Sequence, residues 1–257
     1  MNYIVLDLEF NQPYNFKTGK RSPLVAECPF EIIQIGAVKL DENFNITGKF
    51  DALIKPRIYK RIHPIVEKIT GFTEETFKDS GNFHMAFEEF CAFIGKEECI
   101  LCSWGPDDIK YLFKNIVYYK CNHERLSRLY INTQQFASKV LSASSGNSIG
   151  LKAAVEALGI AEENSFHNAL NDAWYTALVF QKIHPDVITP SVFKIEDVLS
   201  KKPVATKMNT RALLDYFEKS LERTLSAEEA AIIRTAYKLG KNRAFEKYPK
   251  NNKNRDA

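Results

Sequence analysis

The stretch Tyr3-Ile-Val-Leu-Asp7-Leu-Glu9-Phe10 (residues 3–10, YIVLDLEF) decides how the chain is read. Its β-branched and aromatic residues mark a strand. Side chains alternate across a strand, so Ile4, Leu6, Leu8 and Phe10 form one wholly apolar face while Asp7 and Glu9 share the other. Two carboxylates side by side on a mostly buried strand repel each other and lose hydration. Either one is protonated or a cation compensates. A divalent cation is the simplest compensation, and hard oxygen ligands suit Mg²⁺ or Mn²⁺. A strand end that surfaces and hydrates both acids is the alternative, and the pair alone does not choose.

Working outward, Asn11–Pro29 reads as a loop, followed by strands at Glu31–Leu40 and Phe44–Lys55 joined by a turn around Asp41, Glu42 and Asn43. Three strands in succession suggest an antiparallel meander. Helical spacing starts after Pro64, and Phe83, Ala86, Phe87, Phe90 and Ile94 share one helix face. A buried strand is expected at Cys99–Trp104, broken by Gly105-Pro106, which opens a helix with Ile109, Leu112, Phe113 and Ile116 on one side. A short strand near Leu129–Ile131 and helices at Gln134–Leu141, Gly150–Leu158 and Ala169–Ile183 complete the body. Strands first, then strands and helices in alternation, argue an α/β fold with a mixed sheet and helices on both faces.

Pro185 and Pro190 read as a boundary, giving a domain at 1–190 and an extension at 191–257. The extension holds two amphipathic helices, Asn209–Leu221 and Ala227–Leu239, with Ser226 and Glu229 as a capping box for the second. The last residues, KYPKNNKNRDA, are polar and expected to fray. The net charge of +3 is unevenly spread: residues 201–257 carry +7 and the first 200 carry −4. Such an asymmetry suits a chain that holds cations in one part and attracts polyanions with another, though a solvated helical surface has the same composition. The basic stretch Lys55-Pro-Arg57-Ile-Tyr59-Lys60-Arg61 could likewise track a nucleic-acid backbone or be a solvated loop.

Five scattered cysteines, no secretory pattern and only strand-sized apolar runs point to a cytoplasmic protein that does not cross a membrane. Cys99 and Cys102 form a C-x-x-C, but on a strand they point to opposite faces, and no second Cys or His pair completes a zinc site. They are expected to be core cysteines.

Two further signals accompany the acidic pair. Ser103-Trp104-Gly105-Pro106-Asp107-Asp108 follows a buried strand, where an acid at the strand-to-helix junction faces a site at the sheet edge or caps the helix. His167-Asn168-Ala169-Leu170-Asn171-Asp172 opens the last helix of the body. Five residues of ideal helix leave side chains ~140° apart, so His167 and Asp172 converge only if His167 stands in the preceding loop.

Together, D-x-E on the first strand, W-G-x-x-D-x-x-x-L in mid-chain and H-x-A-x-x-D-A late in the chain resemble the DEDDh 3′–5′ exonuclease family over roughly residues 1–183. Ile69-Thr70-Gly71-Phe72 is similar to the family's T-G-I segment, and Gly150-Leu151-Lys152-Ala153 through Leu158-Gly159 to its S-L-x-x-[AL]…L-G stretch. Within the family the chain looks most like the histone-mRNA and small-RNA trimming branch and its bacterial sporulation-inhibitor relatives.

The resemblance implies an RNase H-like fold with a five-stranded mixed sheet. It also implies that Asp7, Glu9, Asp108 and Asp172 hold two divalent cations, with His167 as general base. Asp108 is preferred over Asp107 because the family's acid precedes its Leu by four positions, as Asp108 precedes Leu112. Phe10 and Phe83 are the candidates for holding the terminal base. The implied reaction is hydrolysis at single-stranded RNA or DNA 3′ ends, releasing nucleoside 5′-monophosphates. A regulatory nucleic-acid- or protein-binding module that keeps the fold, and an RNase H-like endonuclease, are the rival readings.

Overall fold

A computed structural model describes residues 1–19, 24–141, 148–183, 189–199 and 209–241. The chain divides into two compact units, Met1–Lys202 and Pro203–Ala257.

In the first unit, β1 (Asn2–Asn11), β2 (Glu31–Leu40) and β3 (Ile46–Leu53) form an antiparallel meander. The turn before β3 is set by Asp41, whose Oδ1 accepts from Asn43 N and Asn45 N, both at 2.8 Å. Phe44 takes a left-handed φ of 62° there, so the strand starts later than its apolar pattern suggested. Then come α1 (Pro64–Thr70), α2 (Phe83–Ile94), β4 (Cys99–Ser103), α3 (Asp107–Tyr118), β5 (Leu129–Asn132), α4 (Thr133–Leu141), α5 (Leu151–Ala157), α6 (Ala169–Ile183), β6 (Ser191–Val192) and α7 (Glu196–Leu199). The sheet order is β3-β2-β1-β4-β5-β6, with β4 and β5 parallel to β1.

The alternation read from YIVLDLEF is what divides the core. Ile4, Leu6 and Leu8 pack with Phe83, Phe87 and Phe90 of α2 and Leu112 and Phe113 of α3. Val5, on the other face, packs with Val38, Ile100 and Ala173, Ala177 and Phe180 of α6. Helices thus cover both faces, as expected. Cys99 lies in the first of these clusters and Cys102 in the second, so the C-x-x-C is two core side chains on opposite faces.

Two expectations need correction. The sheet has six strands, because the two-residue β6 pairs antiparallel with β5. The boundary expected at residue 190 is also too early. Phe193 stacks on Phe113 with ring centroids 4.7 Å apart, Phe193 N donates to Arg128 O at 2.8 Å, and Ile195 is buried. Pro190 precedes an edge strand here, a position where proline is tolerated, and does not end the domain.

In the second unit, α8 (Thr210–Leu221) and α9 (Ala227–Lys241) are the two helices expected. The capping box forms: Glu229 N donates to Ser226 Oγ at 3.2 Å and Ser226 N to Glu229 Oε2 at 2.9 Å. Pro185 and the 247–257 tail lie outside the described residues. Among the described residues, no helix is long and apolar enough to cross a membrane.

Candidate active site

Because β1, β4 and β5 run parallel, their carboxyl ends meet at one edge of the sheet, and an open α/β sheet places its site there. Asp7 and Glu9 emerge on the α6 face of β1, near that edge. Asp172, in the first turn of α6, comes down onto them, and one carboxylate oxygen from each of the three lies within 4.8 Å of the others.

Asp108 opens α3 with Asp107, and the helix turns the two neighbours apart. Asp107 is 72% exposed and pairs with Lys110 at 3.3 Å. Asp108 faces the cluster closely enough that its charge acts on Asp7, and those of Glu9 and Asp172 act on it.

His167 stands in the loop before α6, with a left-handed φ of 64°. Its backbone N–H donates to Asp172 Oδ2 at 3.1 Å, so the two converge by the route their spacing required. Asn168 caps the helix, its Oδ1 accepting from Leu170 N and Asn171 N at 3.1 and 3.3 Å. Asn171 Nδ2 donates to Ser165 O at 2.9 Å, and the buried Tyr175 hydroxyl donates to Asn164 O at 2.8 Å. The loop carrying His167 is therefore held from both sides.

The seat of α6 is set by two residues of β2 that sequence reasoning missed. Gly36 lies opposite Asp7. A Cβ at Gly36 would sit 2.1 Å from Ala169 C and Leu170 N, so only glycine admits the helix at this height. The buried Gln34, opposite Glu9, accepts from Ala169 N through Oε1 at 3.0 Å and donates from Nε2 to Asp51 Oδ1 at 2.8 Å. The signal for Gly36 was present, since a glycine inside a continuous strand pattern marks a close backbone approach. Nothing in the sequence marked Gln34, because its partner is 135 residues away.

The electrostatics follow from this crowding. Burial, then the charges of Asp108, Asp172 and Glu9, push Asp7 well above the usual carboxylate range. Glu9 is pushed up to about 7 by burial and then by Asp172. Asp108 is pushed up to about 8 by burial, then by Asp107 and Glu9. Asp172 is raised by burial against the lowering influence of the His167 N–H. The charges acting on Asp7 are all acidic, and Asp172 Oδ1 is buried without a hydrogen-bond partner. A crowded set of hard oxygens with an orphaned carboxylate atom fits a divalent cation.

The two aromatic candidates part company. Phe83 is 1% exposed, stacked on Tyr119 at 4.8 Å on the α2–α3 side of the sheet, away from the carboxylates. It is a core residue, and its helix periodicity was the truer reading. Phe10 is only partly buried. It follows a register shift between Glu9 and Phe10 and meets Phe30 and Tyr111 edge-on at 6.2 and 5.6 Å.

An α/β sheet with half-buried carboxylates gathered beyond the carboxyl ends of its parallel strands is an arrangement that suits metal-assisted hydrolysis. Residues 4–180 match the exonuclease family model RNase_T, and the chain belongs to that family. It is 31% identical over 153 residues to the DNA polymerase III subunit epsilon of Aquifex aeolicus (strain VF5), covering 60% of this chain and 71% of that protein. Among solved structures, the nuclease domain of 3′hExo, a DEDDh family member bound to rAMP, superposes with a TM-score of 0.62 at 17% identity. That match covers 75% of this chain and 96% of the domain. The 3′-exonuclease in the structure of 3′-end recognition of histone mRNA stem-loop gives 0.60 at 17% identity, over 71% of this chain and 63% of that one. E. coli Exonuclease I with a dT13 oligonucleotide gives 0.53 at 16% identity, over 71% and 40%. The chain thus spans less than two thirds of the last two. Its fold is the RNase H-like fold of these exonucleases, and the protein is an exonuclease-class enzyme.

Proposed function

We propose that this chain is a metal-dependent 3′–5′ exonuclease that hydrolyses phosphodiester bonds at single-stranded RNA or DNA 3′ ends and releases nucleoside 5′-monophosphates. The observation that carries the reading is the meeting of Asp7, Glu9 and Asp172 within 4.8 Å, with Asp108 turned toward them and His167 bonded to Asp172.

On this reading Asp7, Glu9, Asp108 and Asp172 would hold two divalent cations, Mg²⁺ or Mn²⁺, and these would supply charge stabilisation for phosphodiester hydrolysis. The chain's own residues do the rest. His167 is exposed, and its imidazole takes a proton from the attacking water. Gln34 and Gly36 fix the height of α6, and so the distance between Asp172 and the β1 pair. Phe10, partly open beside Tyr111, is the candidate surface for the terminal base. Five unpaired cysteines fit a reducing, cytoplasmic setting.

The test is digestion of labelled single-stranded RNA and DNA with Mg²⁺ or Mn²⁺, with 3′-blocked strands alongside. A ladder receding from the 3′ end, with mononucleotide product and protection by the block, is the expected result. Internal cuts would indicate an endonuclease, and no cleavage with either ion a binding module.

A further inference from the structure

The most distinctive feature outside the carboxylate cluster is the loop that follows β3. Residues 55–61 carry Lys55, Arg57, Lys60 and Arg61, all exposed. An exposed basic loop of this kind is ordinarily mobile and self-repelling, but here buried side chains template it. Glu31, 1% exposed, accepts through its carboxylate from the backbone N–H groups of Arg57, Ile58 and Tyr59 at 2.6, 2.9 and 2.9 Å. The Tyr119 hydroxyl donates to the same carboxylate at 2.6 Å. Asn11, fully buried, donates to Tyr59 O and Arg61 O at 2.7 and 3.0 Å and accepts from His63 N at 3.0 Å. A charged loop whose backbone is held this firmly has less ordering left to lose on binding.

Three of those cations line a cavity of about 640 Å³, walled by Lys55, Arg57, Lys60, Asn82 and Met85. Its one acidic neighbour, Glu74, is paired with Arg61 at 3.7 Å. Among the described residues Arg57 and Lys60 make no ion pair, and Lys55 Nζ meets only the carbonyl of Lys78 at 3.3 Å. The cavity also adjoins the amino end of the twelve-residue α2, whose cap is Asn82, and a helix amino end favours negative charge.

Its place in the fold completes the case. Asn11, the anchor of the loop, lies two residues beyond Glu9 on the same strand, about 7 Å away. The loop leaves β3 at the sheet edge where β1 delivers Asp7 and Glu9, because β1 and β3 both run antiparallel to β2.

We propose that this cavity binds the phosphodiester backbone of the strand whose 3′ end occupies the carboxylate site, a few phosphates upstream. The proposal rests on the exonuclease reading and adds to it a length-dependent grip on the strand. Arg57 and Lys60 act as cations for the phosphates and take no part in the chemistry.

The test is binding of a fluorescein-labelled single strand of about 15 nucleotides, followed by anisotropy in EDTA across a range of salt concentrations. Each phosphate neutralised on a single strand contributes about −0.7 to the slope of log K against log salt. Arg57→Gln with Lys60→Gln should flatten the slope by about 1.4 and weaken binding roughly tenfold at low salt. Lys60→Arg with Arg57 intact should keep the wild-type slope. In cleavage assays the double variant should raise KM for the long strand far more than for a dinucleotide, so the ratio of the two is the readout. An unchanged slope in the double variant, or an equal KM penalty on both lengths, overturns the proposal. So does equal competition by inorganic phosphate in wild type and variant. Because binding is read without metal, it is separate from the exonuclease reading, which fails if neither length is cut with Mg²⁺ or Mn²⁺.

Discussion

The backbone N–H of His167 donates to Oδ2 of Asp172 at 3.1 Å, and this one bond ties the exposed residue to the half-buried carboxylate cluster. It depends on the left-handed φ of 64° at His167, which places the residue outside the helix while keeping it over the first turn. Asn tolerates that conformation better than most residues, so His167→Asn removes the imidazole and keeps the backbone bond. Activity should fall roughly 10²–10⁴-fold. Metal binding, followed by calorimetry, should persist, and its loss would make His167 a ligand.

Asp7 is the most crowded carboxylate, with Asp108, Asp172 and Glu9 all acting on it. Asp7→Ala should abolish metal-dependent cleavage. It also relieves like-charge repulsion, so the variant should fold and melt no lower than wild type without metal. Cleavage at the wild-type rate would show that the chemistry lies elsewhere.

Asp107 and Asp108 are adjacent, yet α3 turns one to solvent and the other inward. Asp108→Asn should lower the rate at least about 100-fold by depriving the cations of a carboxylate. Asp107→Asn breaks only an exposed pair with Lys110, worth up to about 1 kcal/mol, and should leave the rate within a few-fold. Steady-state kinetics on both variants decide the ranking.

Gly36→Ala tests the seat of α6. The added methyl would meet the Ala169–Leu170 peptide at 2.1–2.3 Å, against backbone that cannot swing aside. Overpacking of this kind costs about 1–3 kcal/mol or more. The melting temperature should drop, and cleavage should weaken even where the protein remains folded, because Asp172 and His167 move with the helix. A fall in stability without a fall in kcat would separate the helix seat from the chemistry.

The raised carboxylates make a pH prediction. Glu9 is pushed up to about 7 and Asp108 to about 8, whereas in an unfolded chain such groups titrate near 4. Between about pH 4 and 8 the metal-free folded protein therefore holds more protons than the unfolded chain, and its stability falls as pH rises through that window. Cations bind the ionised carboxylates, so stabilisation by Mg²⁺ or Mn²⁺ should grow over the same range. Thermal melts with EDTA or metal at several pH values check this. A metal-free melting temperature that climbs from pH 5 to 8 would contradict it.

Strand alternation in YIVLDLEF was enough to put Asp7 and Glu9 on one face and the apolar set on the other, because period-two geometry is local. The element pattern and the order of the three acidic motifs were legible for similar reasons, as were the separate faces of Cys99 and Cys102. Tertiary structure alone decided how far these motifs converge. Asp172 reaches Asp7 and Glu9 only because Gly36 lacks a Cβ and Gln34 accepts from Ala169 N, contacts between segments more than a hundred residues apart. Phe83 looked equally suited to a base-holding role and to a helix's apolar stripe, and packing against Tyr119 assigned it to the stripe. The short β6 and the true end of the first unit were likewise invisible, since two exposed strand residues carry no period and are held by a neighbour, β5, rather than by their own sequence.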